Sequence, residues 1–128
     1  MSQVTIITLD QLTRELEAGA LAQFWNVLTD EFFKGDLIPG SRRVPLDRVG
    51  REVAESGIAK DAAIVTYCSG PGCPQSKAAA EKLIALGFTN VRAFEGGLEA
   101  WKAAGRPLDP YVRTKQEDDH GRSLTRAG

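Results

Sequence analysis

Cys68 and Cys73 bracket Ser69-Gly70-Pro71-Gly72, between an apolar run, Ala62-Ala63-Ile64-Val65-Thr66-Tyr67, and an alanine-rich stretch from Ser76 to Leu86. The first segment reads as a buried strand and the second as a helix. A thiol at the carboxyl end of such a strand faces the free N–H groups and positive dipole end of the following helix. That placement favours the thiolate and is expected to hold a cysteine below its free pKa of about 8.5. Glycines in the turn let backbone N–H groups converge on one point and cradle an anion or a thiolate. The chemistry this suggests is nucleophilic attack by Cys68 on an anionic or sulfur-bearing substrate.

Cys68 is thus the candidate catalytic residue, with Ser69, Gly70, Pro71, Gly72, Cys73, Pro74 and Ser76 as candidate substrate-binding residues. The competing view of Cys68 is a small buried hydrophobe at a strand end. A packed core gives no reason, however, for Ser-Gly-Pro-Gly to follow it. For Cys73 three roles stand open: a loop residue with Pro74 at the first helical position, a resolving thiol, or a second thiol lining the pocket. Ser76 either caps the helix or donates to the anion, and the two are compatible. Arg42 and Arg43 are adjacent, so on a strand they face opposite sides. One of them is a possible accessory at the pocket mouth and the other is solvated, with a plain surface role for both equally open.

The elements that must position this loop alternate between short apolar runs and amphipathic helices, the pattern of an α/β fold with a mostly parallel sheet. Strands are expected at 4–7, 22–27, 41–45, 62–67 and 91–94. Helices are expected after Thr8 or Asp10, from about Asp47 to Ser56, from Ser76 to Leu86, and around Leu98 to Ala104. A helical turn is expected at 30–34, and Ile38-Pro39-Gly40 reads as a turn. Glu95-Gly96-Gly97 reads as a turn demanding positive φ. Trp25 and Trp101 are expected in or near the core. Residues 1–109 form one domain on this reading, and 110–128 a polar, loosely ordered tail.

At 128 residues the chain is long enough to bury a core without a disulfide or metal. Its net charge of −1 argues against nucleic acid or a membrane surface as a partner. No apolar stretch approaches the roughly 18 residues of a membrane span. The first residues lack the charged and apolar regions of a secretory signal, so a cytoplasmic protein is expected. Two cysteines and one histidine, His120, cannot assemble a four-ligand zinc site of ordinary spacing, and no metal or cofactor is expected.

Taken together, these residues resemble the rhodanese-like domain family. Ile38-Pro39-Gly40-Ser41 with Val44-Pro45-Leu46-Asp47 looks like the family's motif after its second strand. Val65-Thr66-Tyr67-Cys68 resembles its active-site strand and cysteine. Leu86-Gly87-Phe88-Thr89-Asn90-Val91, followed by Phe94-Glu95-Gly96-Gly97-Leu98-Glu99-Ala100-Trp101, resembles its C-terminal signature. The resemblance spans about residues 4–108. It implies an α/β, rhodanese-like fold, with an about five-stranded, mostly parallel sheet and helices on both faces.

It also implies a sulfurtransferase. A small sulfur-bearing anion such as thiosulfate, or a persulfide donor, would load a persulfide on Cys68. A thiol acceptor (a small molecule or a protein) or cyanide would then remove the outer sulfur in a two-step covalent mechanism. Asn26 and Leu28 stand where the family usually has aspartate and arginine, and Leu37 where a histidine often precedes Ile-Pro-Gly. The active-site loop is about two residues longer than usual and has no Lys or Arg between Cys68 and Lys77. Weak thiosulfate turnover is therefore expected, with an uncharged or bulkier persulfide donor as the alternative. The phosphatase and arsenate-reductase relatives require the absent loop arginine. Two further functions stay open: a Cys68/Cys73 thiol redox element, and a non-catalytic binding module on the same scaffold.

Overall fold

The computed structural model describes residues 4–110. The expected tail therefore lies outside the described residues except for Pro110, as does His120. Five parallel strands form the central sheet in the order β1-β6-β5-β2-β4, with β1 Thr5–Ile6, β2 Gln23–Asn26, β4 Arg42–Arg43, β5 Ile64–Tyr67 and β6 Val91–Phe94. All four pairings within it are parallel. Both outermost strands are only two residues long, which leaves little unpaired edge.

Strand alternation divides the apolar side chains between two layers. On one face Trp25, Val27, Ile64, Val91 and Ala93 pack against helices α2 (Val49–Ser56) and α3 (Gln75–Ala85). On the other, Phe24, Val65, Tyr67 and Phe94 pack against α1 (Leu9–Ala18) and against Trp101 of α4 (Gly97–Ala103). The expected five-stranded parallel sheet between helices is thus the observed architecture. Trp25 is fully buried and Trp101 nearly so, as expected.

The helices begin and end for local reasons. Thr8 caps α1, its hydroxyl accepting from the Gln11 N–H while the Gln11 side chain accepts from the Thr8 N–H. In α3 the buried residues Ser76, Ala79, Ala80 and Leu83 recur at helical spacing, and the alanines bring its axis close to the sheet. The expected helix over 47–56 begins instead as a 3₁₀ turn, Leu46–Arg48, that runs into α2. The structure also has a pairing with no counterpart in the sequence reading. Asp36–Leu37 (β3) and Asp109–Pro110 (β7) form a two-residue antiparallel ladder apart from the main sheet.

Candidate active site

Cys68 directly follows β5, at the carboxyl end of the central strand, where an open parallel sheet places its ligands. The preceding residue anchors the neighbouring loop. The Tyr67 hydroxyl accepts from the Ile38 N–H at 2.9 Å and lies 2.7 Å from Ser41 Oγ. Ser41 spends its own proton on the Ile38 carbonyl, so Tyr67 donates to Ser41. Burial pushes the Tyr67 pKa up, so the phenol keeps its proton and this network. Ile38-Pro39-Gly40-Ser41 is thereby fixed beside the strand end, with the expected turn at Pro39-Gly40 and φ +91° at Gly40.

The loop after Cys68 is gripped from two sides. From α4, the Leu98 N–H donates to the Cys68 carbonyl at 3.1 Å and the Glu99 N–H to the Ser69 carbonyl at 2.9 Å. This approach needs a glycine: Gly97 has φ +57°, and a Cβ there would stand 2.3 Å from the Cys68 carbonyl oxygen and 2.9 Å from Gly70 N. The positive φ expected in the Glu95-Gly96-Gly97 turn falls on Gly97, whereas Gly96 is helical. From α3, Gln75 clasps the segment after β2: its Oε1 accepts from the Thr29 N–H at 3.0 Å and its Nε2 donates to Thr29 Oγ1 at 3.1 Å. Beneath it the buried Thr66 hydroxyl donates to the Ser76 carbonyl at 2.8 Å, tying the first turn of α3 to β5.

Within this frame the two free cysteines meet. The Cys68 thiol donates to the Cys73 carbonyl at 3.4 Å, and each cysteine shifts the other's pKa. Cys73 itself closes a turn, its N–H donating to the Gly70 carbonyl at 3.0 Å. Pro71 and Gly72 form the exposed tip, and Pro74 is exposed just before α3.

Two expectations about Cys68 need correction. A nucleophile poised for substrate should be open to it, but the residue has 0% exposure, as in the competing view of a buried side chain. Nor is its pKa lowered. Burial pushes the Cys68 thiol up, as does the neighbouring Cys73 sulfur, against the opposing effect of the Ser76 hydroxyl and N–H. The lowered thiol is Cys73. Its partial burial works against ionisation, but the Cys68 thiol, the Gln75 and Ser69 N–H groups and the Ser69 hydroxyl together outweigh that. The amide cradle predicted for the loop therefore has the half-buried Cys73 sulfur in it, and Cys68 keeps its proton underneath.

Ser76 also departs from one of its expected roles. It makes no capping hydrogen bond to α3, and Pro74 rather than Ser76 occupies the cap position. Its buried hydroxyl has no partner of ordinary geometry among the described residues and faces the Cys68 sulfur. The arginine pair resolves differently from a pocket-mouth cation. Arg42 is exposed and bonds Glu52 and Gln23. Arg43 is buried, donates to the carbonyls of Asn26 and Leu28, pairs with Asp30 and stacks over Phe33 at 3.9 Å. Arg43 thus braces the segment after β2. At Asn26 the buried side chain accepts from the Leu28 N–H at 3.1 Å and helps turn that same segment.

The residues the sequence reading passed over are the ones that aim the loop: Gln75, Thr29, and the N–H groups of Leu98 and Glu99. Only the paired glycines at 96–97 carried a signal for them. The Glu99 side chain adds a further feature, lying against Gly70 so closely that a Cβ there would be 2.6 Å from its carboxyl carbon.

A model of the rhodanese-like domain matches residues 8–104. Among solved structures, that of the Alr3790 protein of Anabaena sp. is 25% identical with a TM-score of 0.73, over 88% of this chain and 98% of that one. The BH2092 protein of Bacillus halodurans, 23% identical at a TM-score of 0.72 over 89% and 88% of the two chains, shares the fold. A thiosulfate sulfurtransferase from Pseudomonas aeruginosa is 26% identical with a TM-score of 0.73, over 85% of this chain but only 20% of that longer protein. No curated protein matches the chain.

Proposed function

Because the chain belongs to the rhodanese-like domain family, we propose that it is a sulfurtransferase whose carrier is a persulfide on Cys68. The observation that carries this reading is the place of the Cys68 thiol, at the carboxyl end of the central strand and beside the first turn of α3, where the buried Ser76 hydroxyl has no hydrogen-bond partner of its own among the described residues. Hydrogen bonds to a charged group contribute about 1.5–3 kcal/mol each. Ser76 therefore favours the Cys68 thiolate at the moment its covering loop lifts and water or donor reaches it. The thiolate attacks the sulfane sulfur of a donor, forming Cys68–S–S⁻ and releasing the donor's remainder: sulfite from thiosulfate, a thiol from a persulfide. An acceptor thiol then takes the outer sulfur.

The tip from Gly70 to Cys73 is the part that yields. The Cys68 and Ser69 carbonyls are bound to α4, whereas a single backbone hydrogen bond closes the 70–73 turn. Swinging Cys73 outward frees the Ser69 and Gln75 N–H groups for the outer sulfur of the persulfide. The likeness to the Pseudomonas aeruginosa thiosulfate sulfurtransferase supports the reaction class. A persulfide donor suits this site better than thiosulfate, because the loop offers amides, carries no cation, and has the Glu99 carboxylate against Gly70.

Intact-mass analysis after incubation with a sulfur donor tests this. The wild-type chain should take up sulfur and pass it to an acceptor, and Cys68→Ser should do neither. Full transfer by Cys68→Ser would overturn the assignment.

A further inference from the structure

Three features of the loop are more than a single-cysteine carrier requires. The Ser69 and Gln75 N–H groups act on the Cys73 sulfur and lower its pKa, in the same turn as Cys68. The two cysteines are five positions apart on a turn that already holds the Cys68 sulfur 3.4 Å from the Cys73 carbonyl. And Cys68 is fully covered, so an outside acceptor must displace the loop to reach it, whereas Cys73 is already there.

We propose that Cys73 is a resolving thiol, and that the protein reduces sulfane sulfur to hydrosulfide through a Cys68–Cys73 disulfide. This rests on the Cys68 persulfide proposed above. In the step itself, the Cys73 thiolate attacks Sγ of the Cys68 persulfide. The bond between Sγ and the outer sulfur breaks, and the outer sulfur leaves with the electron pair as HS⁻. Cys68–S–SH and Cys73–S⁻ thus become Cys68–S–S–Cys73 and HS⁻. The two thiols lose two electrons and the sulfane sulfur gains them, so no outside oxidant is needed. A dithiol reductant, small molecule or protein, returns the loop to its dithiol state by exchange.

Proximity selects this route over delivery to a free acceptor. Well-oriented intramolecular reactions reach effective molarities on the order of 10⁵ M, far beyond any dissolved thiol. The same N–H groups lower the Cys73 pKa, which raises the share of the attacking thiolate. The buried Ser76 hydroxyl, which has no hydrogen-bond partner among the described residues, lowers the Cys68 pKa and so is available to the sulfur under attack.

The experiment uses the full chain, reduced, freed of small thiols and mixed with excess thiosulfate, whose leaving group is not a thiol. Sulfite reports loading of Cys68, trapped sulfide reports the resolving step, and intact mass identifies the product. Wild type should release sulfite and about one sulfide per chain, and end as the internal disulfide, lighter by two hydrogens. Cys73→Ser should release sulfite but at least about tenfold less sulfide, and retain the extra sulfur on residue 68. Cys73→Ala serves as the second variant, because it removes the thiol without leaving the polar hydroxyl that serine introduces. Sulfite without sulfide from wild type, or equal sulfide from the Cys73 variants, would overturn the resolving role and leave the carrier role standing. An absence of sulfite release, together with no sulfur uptake from a persulfide donor, would remove both.

Discussion

Gly97→Ala is the sharpest test of how the loop is held. The added Cβ would stand 2.3 Å from the Cys68 carbonyl oxygen, 2.9 Å from Gly70 N and 2.9 Å from the Ser69 carbonyl carbon. All three are backbone atoms, so no side chain can swing away to make room. Overpacking of this kind costs about 1–3 kcal/mol. The residue also sits at φ +57°, where a non-glycine residue costs about a further 1–2 kcal/mol. The sum, roughly 2–5 kcal/mol, is a large part of the 5–15 kcal/mol that stabilises a typical domain. Gly19→Ala isolates the strain, because Gly19 has φ +67° with nothing within 4 Å of its would-be Cβ. Urea unfolding followed by tryptophan fluorescence, on the buried Trp25 and Trp101, reads both variants. Gly97→Ala should lose at least about 1 kcal/mol more than Gly19→Ala, and its sulfur uptake should fall in conditions where the chain remains folded. Equal losses in the two variants would refute the claim that α4 presses on the cysteine loop.

Four other perturbations follow from the same geometry. Tyr67→Phe removes the acceptor of the Ile38 N–H and should cost about 1–3 kcal/mol in urea unfolding; a neutral result would mean that Tyr67 does not anchor that turn. Cys73→Ala removes a neighbour that raises the Cys68 pKa, so Cys68 should alkylate at lower pH than in wild type. Cys68→Ala removes a donor that lowers the Cys73 pKa, so Cys73 should alkylate at higher pH; shifts of the opposite sign would break the picture of one shared cradle. Glu99→Gln removes a carboxylate lying against Gly70, and repulsion between unit charges a few ångströms apart in water is on the order of 0.5–1 kcal/mol per charge. Thiosulfate loading should therefore rise several-fold at low salt, less at high salt, with a neutral persulfide unaffected; equal gains with both donors would exclude an electrostatic cause.

The parallel sheet was legible because its strands are apolar runs set between helices with clear periodicity. β5 and α3 carried the strongest signals, and α3 lies within one residue of its expected limits. The β3–β7 ladder had no such signal, since a two-residue strand is too short to display alternation. At the site, residue types pointed to the loop but not to the disposition of its thiols. An expected lowered pKa at Cys68 follows if the strand end is open to water. Whether the six residues before α3 fold back over it is a matter of tertiary contact. Here the Cys73 N–H meets the Gly70 carbonyl, and the turn folds over the sulfur. Arg42 and Arg43 illustrate the same limit: alternation correctly sends them to opposite sides but cannot say which carbonyls or carboxylates await them.

The missing loop arginine and the second cysteine are best understood as one feature. A sulfurtransferase loop with a fixed cation holds a dianionic donor and returns its sulfur to whatever acceptor diffuses in. In this chain the guanidinium of Arg43 braces the segment after β2, with Asp30 as its counterion. Stabilisation of negative sulfur falls instead to N–H groups of the loop and the first turn of α3, that of Ser76 acting on Cys68 and those of Ser69 and Gln75 on Cys73. Such a cradle discriminates poorly between a donor's anion and the protein's own thiolate, so Cys73 competes with every small anion for it. Intramolecularity weights that competition toward Cys73, which makes a disulfide the natural outcome of loading Cys68.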